Sequence, residues 1–337
     1  MFLRSGLIGL SLSLAAFAAH AGATGYPLTV ENCGQTLEFD AAPASAVSVG
    51  QAATEVLYAL GLGDKVAGTS VWFSEVLPQF RDIDAKVARL ADNDPSFESV
   101  VAKKPGLVAV QYEWHVGPQG IVATREQFHE LGIPTYVMPA DCVGKDNTVG
   151  LDGTRLAMFS TASLYQGIEE LAAIFDVQDR GAALVADLKA REETAEAEAR
   201  ALGLKDGSAV FWFSSAEMDI DPYVAGRKGA PGYMMETLGL RNIVESDEEW
   251  PTVGWETIAR ANPTVIVVAR MDRRRFEADD VEKKLAFLKS DPVASQMDAV
   301  KAGRIVVMDA GAMDATIRVI DGLEELAAAL KSYGLPQ

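Results

Sequence analysis

Arg273, Arg274 and Arg275 stand in a row just beyond the apolar run VIVVA, and Arg227 lies between glycines in AGRKGAPG. A guanidinium is a rigid fork of donors that matches carboxylates and phosphates. Arg227 and at least one of the triplet are therefore expected to hold an acidic group of a ligand; the sequence leaves open which of the three does so. Trp72, Phe73, Tyr112 and Trp114 also follow apolar runs. Rings placed there either offer faces to a flat or greasy ligand or plug the loop beneath them. Gln51, after Gly50, is a further candidate contact.

Metal and hydrolytic chemistry have little to work with. Beyond residue 21 the histidines are His115 and His129, whereas a zinc or manganese site made by protein alone wants several histidines with carboxylates. No metal site is expected, although His115 beside Glu113 keeps a metal contact open; His129, inside a helical pattern, reads as surface or core edge. GxSxG, HExxH, CxxC and phosphate-binding glycine motifs do not occur, so no catalytic residue and no cofactor are expected.

The elements that must position these residues are legible from periodicity. Residues 46–49, 66–69, 107–110 and 134–138 are short apolar runs, separated by stretches with helical spacing or a glycine stop. Residues 208–213, 265–269 and 304–308 repeat the pattern. Apolar strands alternating with helices predict parallel sheets covered on both faces, here in two lobes. Ligand-binding loops then follow the strand ends and face each other across a cleft. Between the lobes, 180–202 runs without glycine or proline after Gly181 and predicts one long helix. The expected organisation is an entry segment (22–44), a first α/β lobe (45–165), a linking helical segment (166–203) and a second α/β lobe (204–337).

Residues 1–21 carry Arg4, an apolar stretch and Ala19-His20-Ala21 before Gly22, the three-part pattern of a cleaved export signal. No cysteine lies near that site, so no lipid anchor is expected. Without residues 1–21 the chain has 29 Lys and Arg against 48 Asp and Glu, a formal charge of −19, which disfavours nucleic acid and anionic membranes. The two cysteines, Cys33 and Cys142, are an even pair in an oxidising compartment and are expected to be bridged.

One further signal is a long-range repeat. SFESVVAKKPGLVAV (96–110) and GWETIARANPTVIVV (254–268) share an aromatic, a glutamate, a proline and a valine-rich strand at the same offsets. With VSVGQAATEVLYALGLGDKVAGTS (47–70), these stretches make the chain resemble the periplasmic substrate-binding proteins of ABC importers, in the helical-backbone class that serves ferric siderophores, haem and vitamin B12. The resemblance covers nearly the whole chain after residue 21. It implies two lobes on a rigid helix, a soluble periplasmic monomer, and an ABC permease dimer with its ATPase subunits as partner. It also places the family's paired docking glutamates on Glu98 and Glu256. The physical logic agrees: a pseudo-symmetric monomer meeting a two-fold partner needs one equivalent charge per lobe. A glutamate in a first helical turn is also favoured by the helix dipole alone. Arginines with aromatics favour a ferric siderophore as ligand, with haem, a corrinoid or another anionic cofactor as alternatives. An exported α/β enzyme and a signalling or chaperone protein are the remaining classes.

Overall fold

The computed structural model describes residues 22–149, 152–273 and 275–335; the expected export signal (1–21) and Arg274 lie outside the described residues. The chain enters through an antiparallel hairpin, β1 (Leu28–Asn32) and β2 (Gln35–Phe39), within the entry segment. Its burial alternates, with Val30, Leu37 and Phe39 inward, as a one-sided strand pair requires. Cys33, in the hairpin turn, is bridged to Cys142.

The first sheet contains β3 (Ala46–Val49), β4 (Val66–Ser70), β5 (Arg89–Ala91), β6 (Leu107–Val110) and β7 (Thr135–Val137), in the order β5-β4-β3-β6-β7 and parallel throughout. Helices α1 (Gln51–Ala59), α2 (Arg81–Asp84), α3 (Phe97–Val101) and α4 (Arg125–Glu130) make the crossovers. Every residue of β3 and β6 is buried, which is why these strands read as unbroken apolar runs. A small antiparallel pair, β8 (Lys145–Asp146) and β9 (Thr154–Arg155), then reaches across to the second lobe, where Thr154 bridges Glu248.

Two helices follow. α5 (Thr161–Ile174) leads into α6 (Gln178–Leu202), a 25-residue helix closed by left-handed Gly203. The expected helix is therefore present, two residues longer at its start. Gly181, Val185, Leu188, Ala195 and Ala199 form its narrow buried seam, at the alternating three- and four-residue spacing of helix packing. Glu192 lies on the same seam and accepts hydroxyl hydrogen bonds from Thr161 (3.1 Å), Tyr165 (2.5 Å) and Tyr233.

The second sheet holds β10 (Ser208–Ser214), β11 (Tyr223–Val224), β12 (Arg241–Asn242), β13 (Val265–Arg270) and β14 (Ile305–Asp309). Its main order is β11-β10-β13-β14, with β12 also on β10; only the β11 pairing is antiparallel. It is covered by α7 (Ala230–Thr237), α8 (Trp255–Ala261), α9 (Val281–Ser290), α10 (Asp298–Lys301) and α11 (Arg318–Tyr333). α11 packs on α6, where Arg191 forks onto Glu324 and Asp321.

Candidate functional site

In each sheet the chain order reverses beside the first strand of the lobe, between β3 and β6 and between β10 and β13. Loops leaving such a switch point diverge and open a crevice. At the first one, Gly50 has φ 124° and a β-carbon there would meet Gln111 Cβ at 2.2 Å, so only glycine lets β6 lie this close. Gln51 does not line the crevice. It is buried, its Oε1 accepting the backbone N–H groups of Phe73 (3.1 Å) and Ser74 (3.2 Å). Its amide is occupied in shaping the loop after β4, a positioning task that a polar residue at a helix start does not announce.

Between the lobes lie two adjoining cavities. The inner chamber, about 430 Å³, is walled by Phe73, Tyr112 and Trp114 from the first lobe and by Phe213, Tyr223, Trp250 and Phe276 from the second. The outer cavity, about 880 Å³, is lined by Trp72, Arg81, Arg89 and Asp272 among others. Phe73, Asn93, Asp94, Arg273 and Arg275 belong to both. The partition is Phe73: the Arg273 guanidinium lies 4.1 Å from its ring centre, and Tyr112 and Phe213 meet it edge-on at 6.4 and 6.2 Å. Backbone N–H groups of Asp272 (2.8 Å) and Arg273 (3.1 Å) donate to the Phe73 carbonyl, fixing the partition across the lobe boundary.

Trp72 is more enclosed than expected. Its ring is 3% exposed, with Arg89 stacked 4.4 Å from the ring centre and its indole N–H given to Thr69 (3.2 Å). It serves as a plug with one edge on the outer cavity. Contrary to expectation, Arg227 is exposed, paired with Asp247, and lines neither cavity. Glycine neighbours here mark a close backbone approach, since a β-carbon on Gly226 would meet the Glu248 carbonyl. Of the triplet, Arg273 and Arg275 face the cavities. His115 is fully buried behind Tyr112, its Nε2 3.0 Å from Asp94 Oδ1; the hydrogen bond from His115 holds the Asp94 carboxyl below its ordinary value. His129 accepts the Thr135 N–H at 3.3 Å and stays in the first lobe.

Charge in the chamber is largely internal. Lys145 meets Asp141 at 2.7 Å, and Arg155 forks onto Glu249 at 2.9 and 3.3 Å. Asp314 differs. Burial pushes its carboxyl up to about 7, against the lowering effect of the hydrogen bond that Tyr112 donates from the opposite lobe at 3.0 Å. Burial and then Asp314 itself raise the Tyr112 phenol well above its ordinary value, so the phenol keeps the proton. Asp152, half-buried, is raised by burial too. Sequence reasoning missed Asp314, Asp152, Lys145, Arg155, Tyr223, Phe213 and Phe276. The carboxyls come from loops without periodicity, and their importance depends on the lobes meeting.

A cleft between two α/β lobes braced on one long helix is an architecture with known counterparts. Residues 47–312 match the model of the family described as periplasmic binding protein. This chain belongs to that family. It is 24% identical over 310 residues to an uncharacterized ABC transporter substrate-binding lipoprotein of Bacillus subtilis, covering 90% of this chain and 86% of the relative. Among solved structures, a periplasmic binding protein from Veillonella parvula superposes with a TM-score of 0.74 at 22% identity, over 90% of this chain and 97% of the other. A Saccharomonospora viridis protein from an ABC-type Fe3+-hydroxamate transport system gives 0.71 at 24% identity, over 91% and 99%. The chain is thus a substrate-binding component of an ABC transporter, in the helical-backbone class, and works with permease and ATPase components.

As a periplasmic binding protein of this kind, the chain presents its repeated glutamates alike. Glu98 is the second residue of α3 and Glu256 the second of α8, both exposed. The aromatic before each is the anchor: Phe97 meets Phe128 at 5.0 Å, and Trp255 meets Trp212 at 4.8 Å. With the ring turned into its lobe, the next side chain faces solvent.

Proposed function

We propose that this protein is exported to a Gram-negative periplasm, where as a monomer it captures a ferric siderophore or similar bulky metal chelate and delivers it chemically unchanged to an ABC permease dimer. The observation that carries the reading is the paired cavity: aromatic faces on both lobes with Arg273 and Arg275 at the junction. Rings suit flat donor groups, and guanidinium forks suit anionic oxygens. The Saccharomonospora viridis protein, of the same fold, is described with Fe3+-hydroxamate transport, which supports this ligand class. Trp72, Phe73, Tyr112, Trp114, Arg273 and Arg275 are the contacts proposed here, while Glu98 and Glu256 would pair with permease arginines, one per lobe.

Native mass spectrometry of protein purified from its own organism, with metal analysis, tests the reading. The expected result is one small molecule and one iron per chain. A bound haem, a metal-free ligand, or turnover of the bound molecule would overturn it.

A further inference from the structure

The two cavities differ in chemistry, and the difference points to the parts of a ligand. The inner chamber is at the small end of ligand sites, which run from about 300 to about 1,000 Å³. The outer cavity, about 880 Å³, is twice as large. Arginines reach the outer cavity from both lobes: Arg81 and Arg89 from the first, Arg273 and Arg275 from the second. Within the inner chamber alone the cations are Lys145 and Arg155, and each is already tied to a carboxylate.

What the inner chamber leaves open is acceptor capacity. Asp314 is 9% exposed, and the Tyr112 hydroxyl is the hydrogen-bond partner of its carboxyl, through one oxygen. Asp152 lines the same wall and makes no ion pair among the described residues. An anion placed beside these carboxyls would be repelled in a desolvated space, where charge interactions are strong. A cation would meet open carboxyl oxygens and the faces of the aromatic walls, an arrangement suited to ammonium and guanidinium groups.

We propose that the inner chamber is a subsite for a protonated amine or guanidine arm of the transported molecule, with Asp314 and Asp152 as acceptors, while the chelate body lies against Arg273 and Arg275 in the outer cavity. This rests on the chelate reading for the body, and on the chamber alone for the arm. Phe73, standing between the cavities, would be the residue the arm passes.

A matched pair of probes tests it. The ferric complex of desferrioxamine B carries a free ammonium arm, and its N-acetylated form is the same chelate without the charge. In tryptophan-quenching titrations the ammonium form should bind at least tenfold more tightly. Asp314→Asn and Asp152→Asn should each erode that preference, read as the ratio of the two dissociation constants. Equal affinities, or a preference that survives both substitutions, would overturn the subsite. If neither ferric probe binds, a body of this hydroxamate type is excluded, and the subsite is decided by saturation-transfer NMR with benzylammonium against benzoate. A benzylammonium signal that disappears in Asp314→Asn sustains it; a benzoate preference, no benzylammonium signal, or a signal indifferent to the substitution refutes it. A melting curve for each variant separates loss of binding from loss of fold.

Discussion

Asp314, in the loop before α11, and Arg318, the first residue of α11, are four residues apart and both reach the first lobe, yet they meet it in opposite ways. Arg318 forks onto Glu55 of α1, is held by Asp309 at 3.0 Å and gives another hydrogen bond to the Glu75 carbonyl at 2.7 Å. Glu55 is fully buried. Burial works against the charge on Arg318, but Glu55 and Asp309 more than restore it. Asp314, by contrast, receives one hydrogen bond and keeps acceptor capacity. A saturated seam holds the lobes together; an unsaturated one leaves acceptor capacity for a ligand. The difference separates the brace from the binding wall, although both are polar contacts across one boundary.

Breaking the brace should have the largest effect. Arg318→Met leaves Glu55 buried without its cation and should cost about 3–5 kcal/mol, read by urea denaturation. Adding Glu55→Met should restore much of that, because a buried pair replaced by apolar side chains is often nearly neutral. If the single variant is as stable as the parent, the seam is no brace.

On the binding wall, Trp114→Ala and Arg273→Ala should each weaken ligand by about 10–50-fold, the scale of a buried aromatic or arginine anchor. Arg227→Ala, on the outside with Asp247, should leave affinity unchanged. Equal losses at all three positions would erase the distinction between cavity and surface.

Asp314 gives a smaller, pH-dependent effect. Its folded carboxyl sits at about 7, above the unfolded value near 4. Stability tied to the neutral form is therefore complete below about pH 4 and lost as pH rises towards and through 7. Tyr112, Asp152, Glu249, Lys145 and Arg273 are the charged or titratable groups around it. The ligand-free Asp314→Asn protein should lose this slope and be more stable than the parent at pH 8. Parallel stability profiles from pH 5 to 8 would contradict that environment.

The smallest effect on affinity belongs to the outermost residues. Glu98→Arg or Glu256→Arg should leave the dissociation constant within twofold while impairing uptake. A tenfold change in affinity with normal uptake would remove the docking role.

The frame of this molecule was legible because its signals are local. Fully buried parallel strands read as valine-rich runs, and an unbroken helix needs only its own 25 residues. The repeated aromatic–glutamate–proline order was legible because each copy opens a helix in the same way, with the ring turned into its lobe and the glutamate second. The wall of the cleft was only half legible. Trp72 and Phe73 were placed after the right strand, but Arg89 and Arg273, distant in sequence, decide how their rings are covered. Arg227 looked like a ligand contact because its partner, Asp247, is twenty residues away in a loop without pattern. Asp314 could not be singled out, since its role depends on burial between the lobes and on its contact with Tyr112 of the other lobe.

With the brace in place, the cleft is expected to be formed already, so that ligand is gripped by side chains and loops. α6 is expected to resist hinge bending because its backbone hydrogen bonds would have to break, and the Glu55–Arg318 seam to oppose separation of the lobes. Small-angle scattering with and without the ligand recovered from the native protein tests this most directly. The two profiles are expected to superpose within error. A marked compaction on binding, of the size produced by tens of degrees of domain closure, would contradict it.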